Sequence, residues 1–436
     1  MSIAANLIND LYSRRTIKPG LQRIKKLLNV FSVKKIPFKV IHIAGTNGKG
    51  STATMISQIL KGCKKRTGLF ISPHLSRINE RISINGKSIS DKDFTLYAKK
   101  IRNILLKKEP LLLQETTFFE YITLLSVLYF IDKKVEWAVY ETGMGGRLDA
   151  TNIFPSKICV ITNISKEHSA FLGKTKKKIA LEKFAIIKAG AKTITAVEEK
   201  LCTSTLKILG KNKMRSFLID KDFSVTVNEK KGFYHKLQYS DSKNSITFEY
   251  IIKTPLKIQC NNSAMAIKAS YEALKGAISK EKFVSVCKKV LKKNILRGRF
   301  QVFGKKRLVI VDVSHNPASI NALVDTILHL DVKSKWCIIF GVLEDKEYKL
   351  MFESLGKITK DFVFTEPVSE RALNPYALKN KLGKNVEKCK IIIKKNIEDA
   401  FFYWKEKKAS KNCIICGSFF VAGPALKILE NSFDKR

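Results

Sequence analysis

The sequence predicts an α/β protein with two domains. Residues 1–293 are expected to form a P-loop domain on a mainly parallel sheet, with a small antiparallel subsheet and an N-terminal helical segment. Residues 294–436 are expected to form a second, Rossmann-like α/β domain. Two observations indicate this class. Apolar β-branched runs alternate with helical patterns in both halves, and short strand patterns joined by polar turns interrupt that alternation between residues 213 and 251.

The elements follow in order from the apolar periodicity. In the first domain, strands are predicted at 38–44, 66–72, 135–141 and 157–163, and helices from 52, at 91–108 and at 118–131, the last capped by Thr117. The antiparallel subsheet is predicted from strands at 216–219, 223–227, 233–239 and 246–251, and a helix is expected at 262–274. A basic stretch, 287–299, is expected to link the domains. Strands of the second domain are predicted at 308–313, 336–342, 362–365, 390–393 and 412–416.

Composition indicates a soluble globular protein, because 45% of the 436 residues are hydrophobic and 27% are charged. No apolar run is long enough to span a membrane, and the first residues lack a signal-peptide core, so we expect a cytoplasmic protein with no membrane partner. Nine cysteines are scattered along the chain. Cys413 and Cys416 have CxxC spacing inside an apolar strand pattern, so buried thiols are expected there rather than a metal or redox site.

The formal net charge of +43 has two interpretations. It could serve nucleic-acid binding, which is driven by the release of counterions from phosphates. It could instead reflect lysines spread over solvated helix faces. The second interpretation is favoured, because lysines occur in every segment and no basic tail or nucleic-acid motif is present. No nucleic-acid partner is therefore expected, although a positive field would also favour anionic small substrates.

Residues 45–51 form a glycine-rich turn between a predicted strand and a predicted helix, with the sequence Gly45-Thr46-Asn47-Gly48-Lys49-Gly50-Ser51. Glycines let backbone N–H groups approach a polyphosphate, a helix N-terminus adds a favourable dipole, and a lysine amine can bridge the outer phosphates. A nucleotide-binding P-loop is therefore favoured over a plain strand–helix connector. The spacing is unusual, since three residues separate Gly45 from Lys49 and Gly50 precedes Ser51.

Polar side chains follow three other predicted strands of this domain. Ser72, Glu141 and the pair Glu167-His168 each come directly after a strand. Ligands of parallel α/β sheets bind beyond the carboxyl ends of the strands, so these side chains should face one crevice with the P-loop. A carboxylate, a hydroxyl and an imidazole suit Mg²⁺ beside nucleotide phosphates.

The loop at 141–152 is expected to be functional. Its glycines at 143, 145 and 146 would let it approach a ligand closely. Arg147 and Asp149 are expected to form a fixed charge pair within it. A purely structural turn would not need so many polar groups.

These motifs together resemble those of one known family. Residues 45–51, Ser72-Pro-His-Leu and the stretch Glu141-Thr-Gly-Met-Gly-Gly-Arg-Leu-Asp-Ala-Thr-Asn resemble the folylpolyglutamate synthase/dihydrofolate synthase family, in the Mur-ligase group of ATP-dependent amide-forming ligases. Motifs of the second half are similar to those of the same family, namely Arg297-Gly-Arg-Phe, Asp312-Val-Ser-His-Asn-Pro, Phe340-Gly-Val-Leu-Glu-Asp-Lys, Arg371-Ala-Leu and Gly417-Ser. The resemblance spans nearly the whole chain, and it implies an ATPase domain followed by a glutamate-ligase domain.

The resemblance implies roles for single residues at the nucleotide. Thr46 to Lys49 would contact the ATP phosphates. Ser72 and Glu141 resemble ligands of a first Mg²⁺, and His168 resembles a ligand of a second. Lys183 matches a lysine that the family carbamylates, which would give it a carboxylate-like group able to hold a metal. In the family, a further group of residues holds the nucleotide from the second domain. The residues that resemble this group are Asn262, Arg299 and Asp312, and His315 matches a histidine near the phosphates.

For the pterin, the resemblance implicates three segments, which are Thr16-Ile17-Lys18-Pro19, Thr117-Phe118-Phe119-Glu120 and Leu148-Asp149-Ala150. The ring of Phe119 could stack on a flat heterocycle, or it could belong to the apolar face of its helix. Three positions depart from the family pattern. Glu167 stands where an aspartate is usual, Phe184-Ala185 replaces an Ala-Gly pair, and the loop at Lys18-Pro19 lacks an acidic residue.

The implied function is the ATP-dependent addition of L-glutamate to dihydropteroate and to the glutamate tail of reduced folates, through an acyl phosphate. The implied partners are ATP, L-glutamate, these pterin substrates and two Mg²⁺ ions, and a monomer is expected. Three alternatives stay open: only one of the two activities, a cell-wall precursor ligase that uses a UDP-sugar, and a P-loop ATPase stimulated by nucleic acid.

Overall fold

The computed structural model describes residues 18–165, 172–305, 307–330, 335–408 and 411–433. Its largest sheet has eight strands in the order β4-β3-β2-β5-β1-β6-β7-β8. The strands are β1 Lys39–Ala44, β2 Thr67–Phe70, β3 Ile82–Ile84, β4 Lys87–Ser88, β5 Trp137–Glu141, β6 Ile158–Ile161, β7 Lys192–Thr195 and β8 Ser216–Leu218. All neighbours pair in parallel except β2 with β3 and β3 with β4. The mainly parallel sheet is thus confirmed.

Strand β1 lies at the centre of this sheet and leads into the P-loop. Ile41 pairs with Val139 of β5 on one side and with Ile158 of β6 on the other. Residues 40–44 are all buried, as expected for a parallel strand that is covered on both faces. Because side chains alternate along a strand, Ile41 and Ile43 enter one core and Val40 enters the other.

Seven α-helices precede the antiparallel subsheet in the described part of the chain. They are α1 Gln22–Val30, α2 Lys49–Gly62, α3 Asp91–Lys108, α4 Pro110–Glu115, α5 Phe118–Asp132, α6 Lys176–Phe184 and α7 Glu199–Ile208. Helix α5 is capped by Thr117, as predicted: its hydroxyl accepts from the Glu120 N–H group, and the Glu120 carboxylate accepts from the Thr117 N–H group. Helix α2 begins three residues earlier than position 52, inside the glycine-rich turn.

The antiparallel subsheet has three strands, β9 Ser224–Lys231, β10 Tyr234–Asp241 and β11 Ile246–Ile252. The prediction of a fourth strand there was wrong, because the segment 216–219 joins the large sheet as β8, parallel to β7. A short apolar run does not reveal which sheet will pair with it. Two helices follow, α8 Lys257–Leu274 and α9 Lys280–Lys293.

The second domain contains a six-stranded sheet in the order β12-β13-β17-β14-β15-β16. Its strands are β12 Gln301–Phe303, β13 Val309–Val311, β14 Trp336–Phe340, β15 Asp361–Thr365, β16 Lys390–Lys394 and β17 Asn412–Cys416. Its helices are α10 Pro317–Leu328, α11 Tyr348–Leu355, α12 Pro375–Leu382, α13 Ile397–Lys407 and α14 Phe419–Phe433. Only the edge strand β12, which the sequence did not predict, runs antiparallel to its neighbour.

The predicted link at 287–299 was wrong in its first half, because residues 287–293 belong to α9. The buried face of α9 consists of residues spaced four apart, namely Phe283, Cys287 and Leu291. The basic stretch is therefore part of an amphipathic helix, whose apolar positions are separated by lysines. The boundary predicted between residues 293 and 294 falls at the end of α9. Cys413 and Cys416 are buried free thiols in β17, as predicted. Across the described ranges, no helix has the length and apolar character needed to cross a membrane.

Candidate active site

The P-loop turn between β1 and α2 is closely packed. Gly48 has φ of +85°, a conformation that favours glycine, and a side chain there would lie 2.5 Å from the Asn262 side-chain oxygen. The Lys49 ammonium donates to the Thr46 carbonyl over 3.0 Å, so the lysine folds back over its own loop. The predicted phosphate-binding residues therefore form one compact turn at the carboxyl end of the central strand.

Two residues that follow β6 hold this turn, and neither was predicted to do so. The Asn163 side chain accepts from the Asn47 N–H group over 3.0 Å and donates to the Asn47 carbonyl over 2.8 Å. The Thr162 hydroxyl also donates to the Asn47 carbonyl, over 2.7 Å. These contacts fix the middle of the loop from the neighbouring strand. They join residues about 116 positions apart, so no local pattern could reveal them.

Glu141 and Ser72 meet beside the start of α2, as predicted. The Ser72 N–H group donates to the Glu141 carboxylate over 3.0 Å, and Glu141 is buried. Burial raises the pKa of Glu141, and Lys49, the Ser72 N–H group and two arginines oppose that rise without cancelling it. A side chain at Gly50 would approach this carboxylate within 3.2 Å, so the glycine leaves space beside it. A buried carboxylate next to open space and a phosphate loop fits a bound cation.

Lys183 lies in α6 and is only 2% exposed, so it is not an ordinary surface lysine of its helix. Its ammonium donates to the Gly45 carbonyl over 2.7 Å, which places it at the first residue of the P-loop. Glu167 and His168 lie outside the described residues. Within the described ranges, no cluster of three His, Cys, Asp or Glu side chains could hold a metal ion. The second predicted metal site therefore stays a prediction.

Asn262 belongs to the first domain, within the range 1–293 predicted for it, although the resemblance grouped it with Arg299 and Asp312 of the second. It lies in α8, and its amide group donates to the Gln259 side chain over 3.0 Å. Its side-chain oxygen faces Gly48, is buried and has no hydrogen-bond partner within the described part of the chain. A buried polar atom without a partner beside the P-loop is suited to accept a hydrogen bond from a ligand. Sequence motifs give residue types and not distances, so they could not show that this oxygen faces Gly48.

The second domain contributes Arg299, Asp312 and His315. Asp312 accepts from the Phe300 N–H group over 2.7 Å and from the Ser314 N–H group over 2.8 Å. Burial raises the pKa of Asp312 and lowers the pKa of Arg299, and each charge opposes the shift of the other. The Arg299 guanidinium lies 4.9 Å from the centre of the Phe419 ring, and the His315 ring lies 5.3 Å from it. Phe419 was not predicted.

Two adjoining cavities occupy this region. The smaller, about 150 Å³, is lined by the P-loop together with Ser72, Glu141, Gln259 and the three residues from the second domain. The larger, about 460 Å³, is lined mostly by apolar surface. Five of the described residues line both cavities, namely Ser72, Pro73, Gly143, His315 and Phe419. The two domains therefore both border the junction between the cavities.

All described residues that were predicted for the pterin line the larger cavity: Lys18, Pro19, Thr117, Phe118, Phe119, Glu120, Leu148, Asp149 and Ala150. Thr16 and Ile17 lie outside the described residues. The Phe119 ring packs against Gly143, where a side chain would lie 2.7 Å from the ring. It also lies 5.7 Å from the Phe70 ring, so it serves as a wall of the cavity.

Two carboxylates in this wall are engaged in internal hydrogen bonds. Glu120 accepts from Arg23 over 3.1 Å and caps α5. Asp149 accepts from the Met144 N–H group over 2.9 Å and from the Thr151 hydroxyl over 2.5 Å. The predicted charge pair of Arg147 with Asp149 was wrong, because Arg147 pairs with Glu182 at 2.9 Å. The Asp149 carboxylate instead turns inward and caps the short 3₁₀ helix at Ala150–Ile153.

Comparisons with known proteins agree with this architecture. The Mur ligase middle domain matches residues 43–269, and the Mur ligase glutamate ligase domain matches residues 298–419. A dihydrofolate synthase/folylpolyglutamate synthase from Bacillus subtilis is 30% identical over 355 residues, which are 78% of this chain and 80% of the relative.

Solved structures give the same result. Mycobacterium tuberculosis folylpolyglutamate synthase, complexed with ADP and AMPPCP, superposes with a TM-score of 0.87 at 25% identity, over 98% of this chain and 99% of the other. Escherichia coli FolC, in complex with DHPP and ADP, superposes with a TM-score of 0.85 at 26% identity, over 99% and 98% of the two chains. The chain therefore belongs to the folylpolyglutamate synthase/dihydrofolate synthase family of Mur ligases.

Proposed function

We propose that this chain is an ATP-dependent ligase that adds L-glutamate to dihydropteroate and to the glutamate tail of reduced folates. The observation that carries the proposal is the junction of the two cavities. The smaller cavity contains the P-loop, and the larger one is apolar enough for a flat heterocycle. The relatives named as dihydrofolate synthase/folylpolyglutamate synthase support both activities.

The proposed reaction passes through an acyl phosphate, because a carboxylate has oxide as its leaving group and is a poor electrophile. The γ-phosphoryl group of ATP passes to the substrate carboxylate, and the amine of glutamate then displaces phosphate. The first step brings two anions together. Lys49 and Arg299 line the smaller cavity, where their positive charges offset that repulsion.

Mg²⁺ fits this site beside Glu141 and Ser72, and when bound it supplies further neutralisation of the phosphate charge. We assign His168 and Lys183 to a second ion, with Lys183 carbamylated. Carbamylation converts the lysine cation into an anion that can hold a metal, and the buried position of Lys183 at Gly45 supports this assignment. We place ATP near the side-chain oxygen of Asn262, which has no hydrogen-bond partner among the residues described, with Asp312 and His315 completing the site from the second domain.

The role of Lys183 can be tested by substitution. Lys183→Ala should abolish amide formation, and a short carboxylate such as formate should restore part of it by replacing the carbamate. Lys177→Ala, at an exposed position of the same helix, serves as the matched control and should keep wild-type activity. A fully active Lys183→Ala variant would contradict the assignment.

Product analysis tests the function itself. The chain is incubated with ATP and glutamate, together with dihydropteroate or with tetrahydrofolate, and the products are identified by mass spectrometry. A mass increase of one glutamyl unit with each substrate is expected, and a product from only one of them would reduce the proposal to a single activity. ATP hydrolysis that responds to DNA or RNA and ignores glutamate would favour the nucleic-acid-stimulated ATPase. Ligation onto a UDP-sugar peptide would favour the cell-wall alternative.

We also propose a cytoplasmic monomer with domains at 1–293 and 294–436 and with no nucleic-acid partner. Size-exclusion chromatography with light scattering tests the oligomeric state, and a mass near 49.4 kDa is expected. Filter retention of labelled RNA at physiological salt tests for a nucleic-acid partner, and no retention is expected. Contacts with phosphates alone weaken steeply as the salt concentration rises, so retention under these conditions would contradict the proposal.

A further inference from the structure

Phe419 is the first residue of α14, and the turn before it is held tightly. Gly417 has φ of +108°, and a side chain there would lie 2.4 Å from the Gly341 carbonyl oxygen. The Ser418 hydroxyl accepts from the Phe420 N–H group over 3.1 Å. The backbone therefore enters α14 in one conformation, and Phe419 projects from a fixed point.

The Phe419 ring lies close to two polar groups of its own domain. The Arg299 guanidinium is 4.9 Å from the ring centre, and the His315 ring is 5.3 Å from it. A cation above an aromatic face is attracted to it, so the ring also restrains the guanidinium. A hydrogen bond orients the His315 ring, because its Nδ1 atom lies 2.9 Å from the Val313 carbonyl oxygen.

Phe419 also lines both cavities. Among the described residues, the others that do so are Ser72, Pro73, Gly143 and His315, and none of these four offers an apolar side chain of comparable size. Transfer of a phosphoryl group from one cavity to the other has to occur at this junction. The largest apolar side chain of the junction therefore lies where the acyl phosphate would form.

We propose that the Phe419 ring excludes water from the acyl phosphate, an inference that rests on the proposed ligase function. The reaction to be suppressed is hydrolysis. In it, the oxygen of water forms a bond to the acyl carbon, the bond from that carbon to the phosphate oxygen breaks, and carboxylate, inorganic phosphate and a proton result. The net change is ATP consumption without an amide. Removal of the ring should therefore uncouple ATP use from ligation.

The experiment measures ADP and glutamyl product in the same reaction, with saturating ATP and glutamate. The pterin substrate is dihydropteroate or tetrahydrofolate, whichever the wild-type chain uses faster. The wild-type chain should form about one ADP per amide, as a site that excludes water requires. In Phe419→Ala, that ratio should rise several-fold and the excess ADP should depend on the pterin substrate. Phe419→Leu, which keeps apolar bulk, should stay close to the wild-type ratio.

Phe402→Ala provides the control, because Phe402 is an exposed aromatic residue on α13 and lines neither cavity. Its ratio should equal that of the wild type. If Phe419→Ala is poorly folded, Phe419→Val replaces it and should give a ratio above that of Phe419→Leu. One ADP per amide in the smaller variants, or loss of ADP formation together with the amide in a folded variant, would overturn the inference. Wild-type turnover tests the ligase function separately, so the two failures would appear in different measurements.

Discussion

The Asn316 side-chain amide donates a hydrogen bond to the Asn47 side-chain oxygen over 3.0 Å, and it thereby joins the second domain to the P-loop. The Asn316 side-chain oxygen accepts from the Ser319 N–H group over 2.9 Å and caps α10. One amide group therefore holds both the start of a helix and the loop proposed to grip ATP. The position of the second domain and the shape of the loop are directly connected.

Loss of the contact between Asn316 and Asn47 should weaken ATP binding. Asn316→Ser keeps an oxygen able to cap α10 but is too short to reach Asn47. A hydrogen bond contributes about 1 kcal/mol, so we expect the KM for ATP to rise by about five-fold. Steady-state kinetics measures this change, and thermal unfolding should show little loss of stability. An unchanged KM for ATP would mean that the contact does not support binding.

A methyl group at Gly143 should impair the larger cavity selectively. In Gly143→Ala the new carbon would lie 2.7 Å from the Phe119 ring and would push that ring into the cavity. We expect the KM for the pterin substrate to rise much more than the KM for ATP. The double variant Gly143→Ala with Phe119→Leu relieves the clash and should recover part of the affinity. Equal changes in both KM values would point to a general distortion of the junction.

The buried His42 should make stability dependent on pH. Burial, with a smaller contribution from Lys188, lowers the pKa of His42 to about 3. The folded chain therefore keeps His42 neutral, whereas the unfolded chain binds a proton below its ordinary pKa of about 6.5. Between these two values, folding loses about 1.4 kcal/mol per pH unit from this residue as the pH falls.

The matched variant for this prediction is His42→Gln, which cannot titrate and can still donate to the Thr151 hydroxyl, 2.8 Å from the His42 Nε2 atom. Urea unfolding between pH 7 and pH 4.5 should show a smaller loss of stability for His42→Gln than for the wild type. His329→Gln, at an exposed residue, should follow the wild-type curve. Parallel curves for His42→Gln and the wild type would contradict the prediction.

Lys268 should be required for the stability of the first domain. Its ammonium is fully buried, 2.7 Å from Asp241 and 3.0 Å from Glu272, and both carboxylates are buried as well. Lys268→Ala would remove the cation that these carboxylates share, and Lys192, 2.8 Å from Glu272, would still pair with that carboxylate but not with Asp241. An uncompensated charge at the buried Asp241 would cost about 3–5 kcal/mol. The exposed pair of Lys236 with Glu249 provides the control, because water screens that pair and Lys236→Ala should lower the stability far less than Lys268→Ala. Equilibrium unfolding in urea measures both values.

Much of the fold and part of the site could be predicted because they depend on local patterns. The glycine turn follows β1 directly, and Glu141 is the last residue of β5, so an element adjacent in sequence places each of them. The rule that ligands bind beyond the carboxyl ends of parallel strands then brought Ser72 and Glu141 together. Asn163, Asn316 and Phe419 were missed because their partners lie more than 100 residues away in sequence.

The errors have the same origin. The segment at 216–219 has the same short apolar pattern whether it pairs with β7 or with the subsheet. Asn262 was grouped with residues of the second domain because a motif gives no distance to the P-loop. Asp149 was expected to pair with Arg147, whereas its carboxylate accepts from an N–H group and a hydroxyl of its own loop.

The five residues shared by the two cavities have a consequence for inhibitor design. A single molecule that joins a flat heterocycle to a polyphosphate mimic could occupy both cavities, and it would contact Ser72 and Gly143 of one domain and His315 and Phe419 of the other. Once one end binds, the other is held at a high effective concentration beside its own cavity. Such a compound would act as a clamp that holds both domains in place, and its selectivity would come from the apolar end, since many unrelated proteins bind polyphosphates.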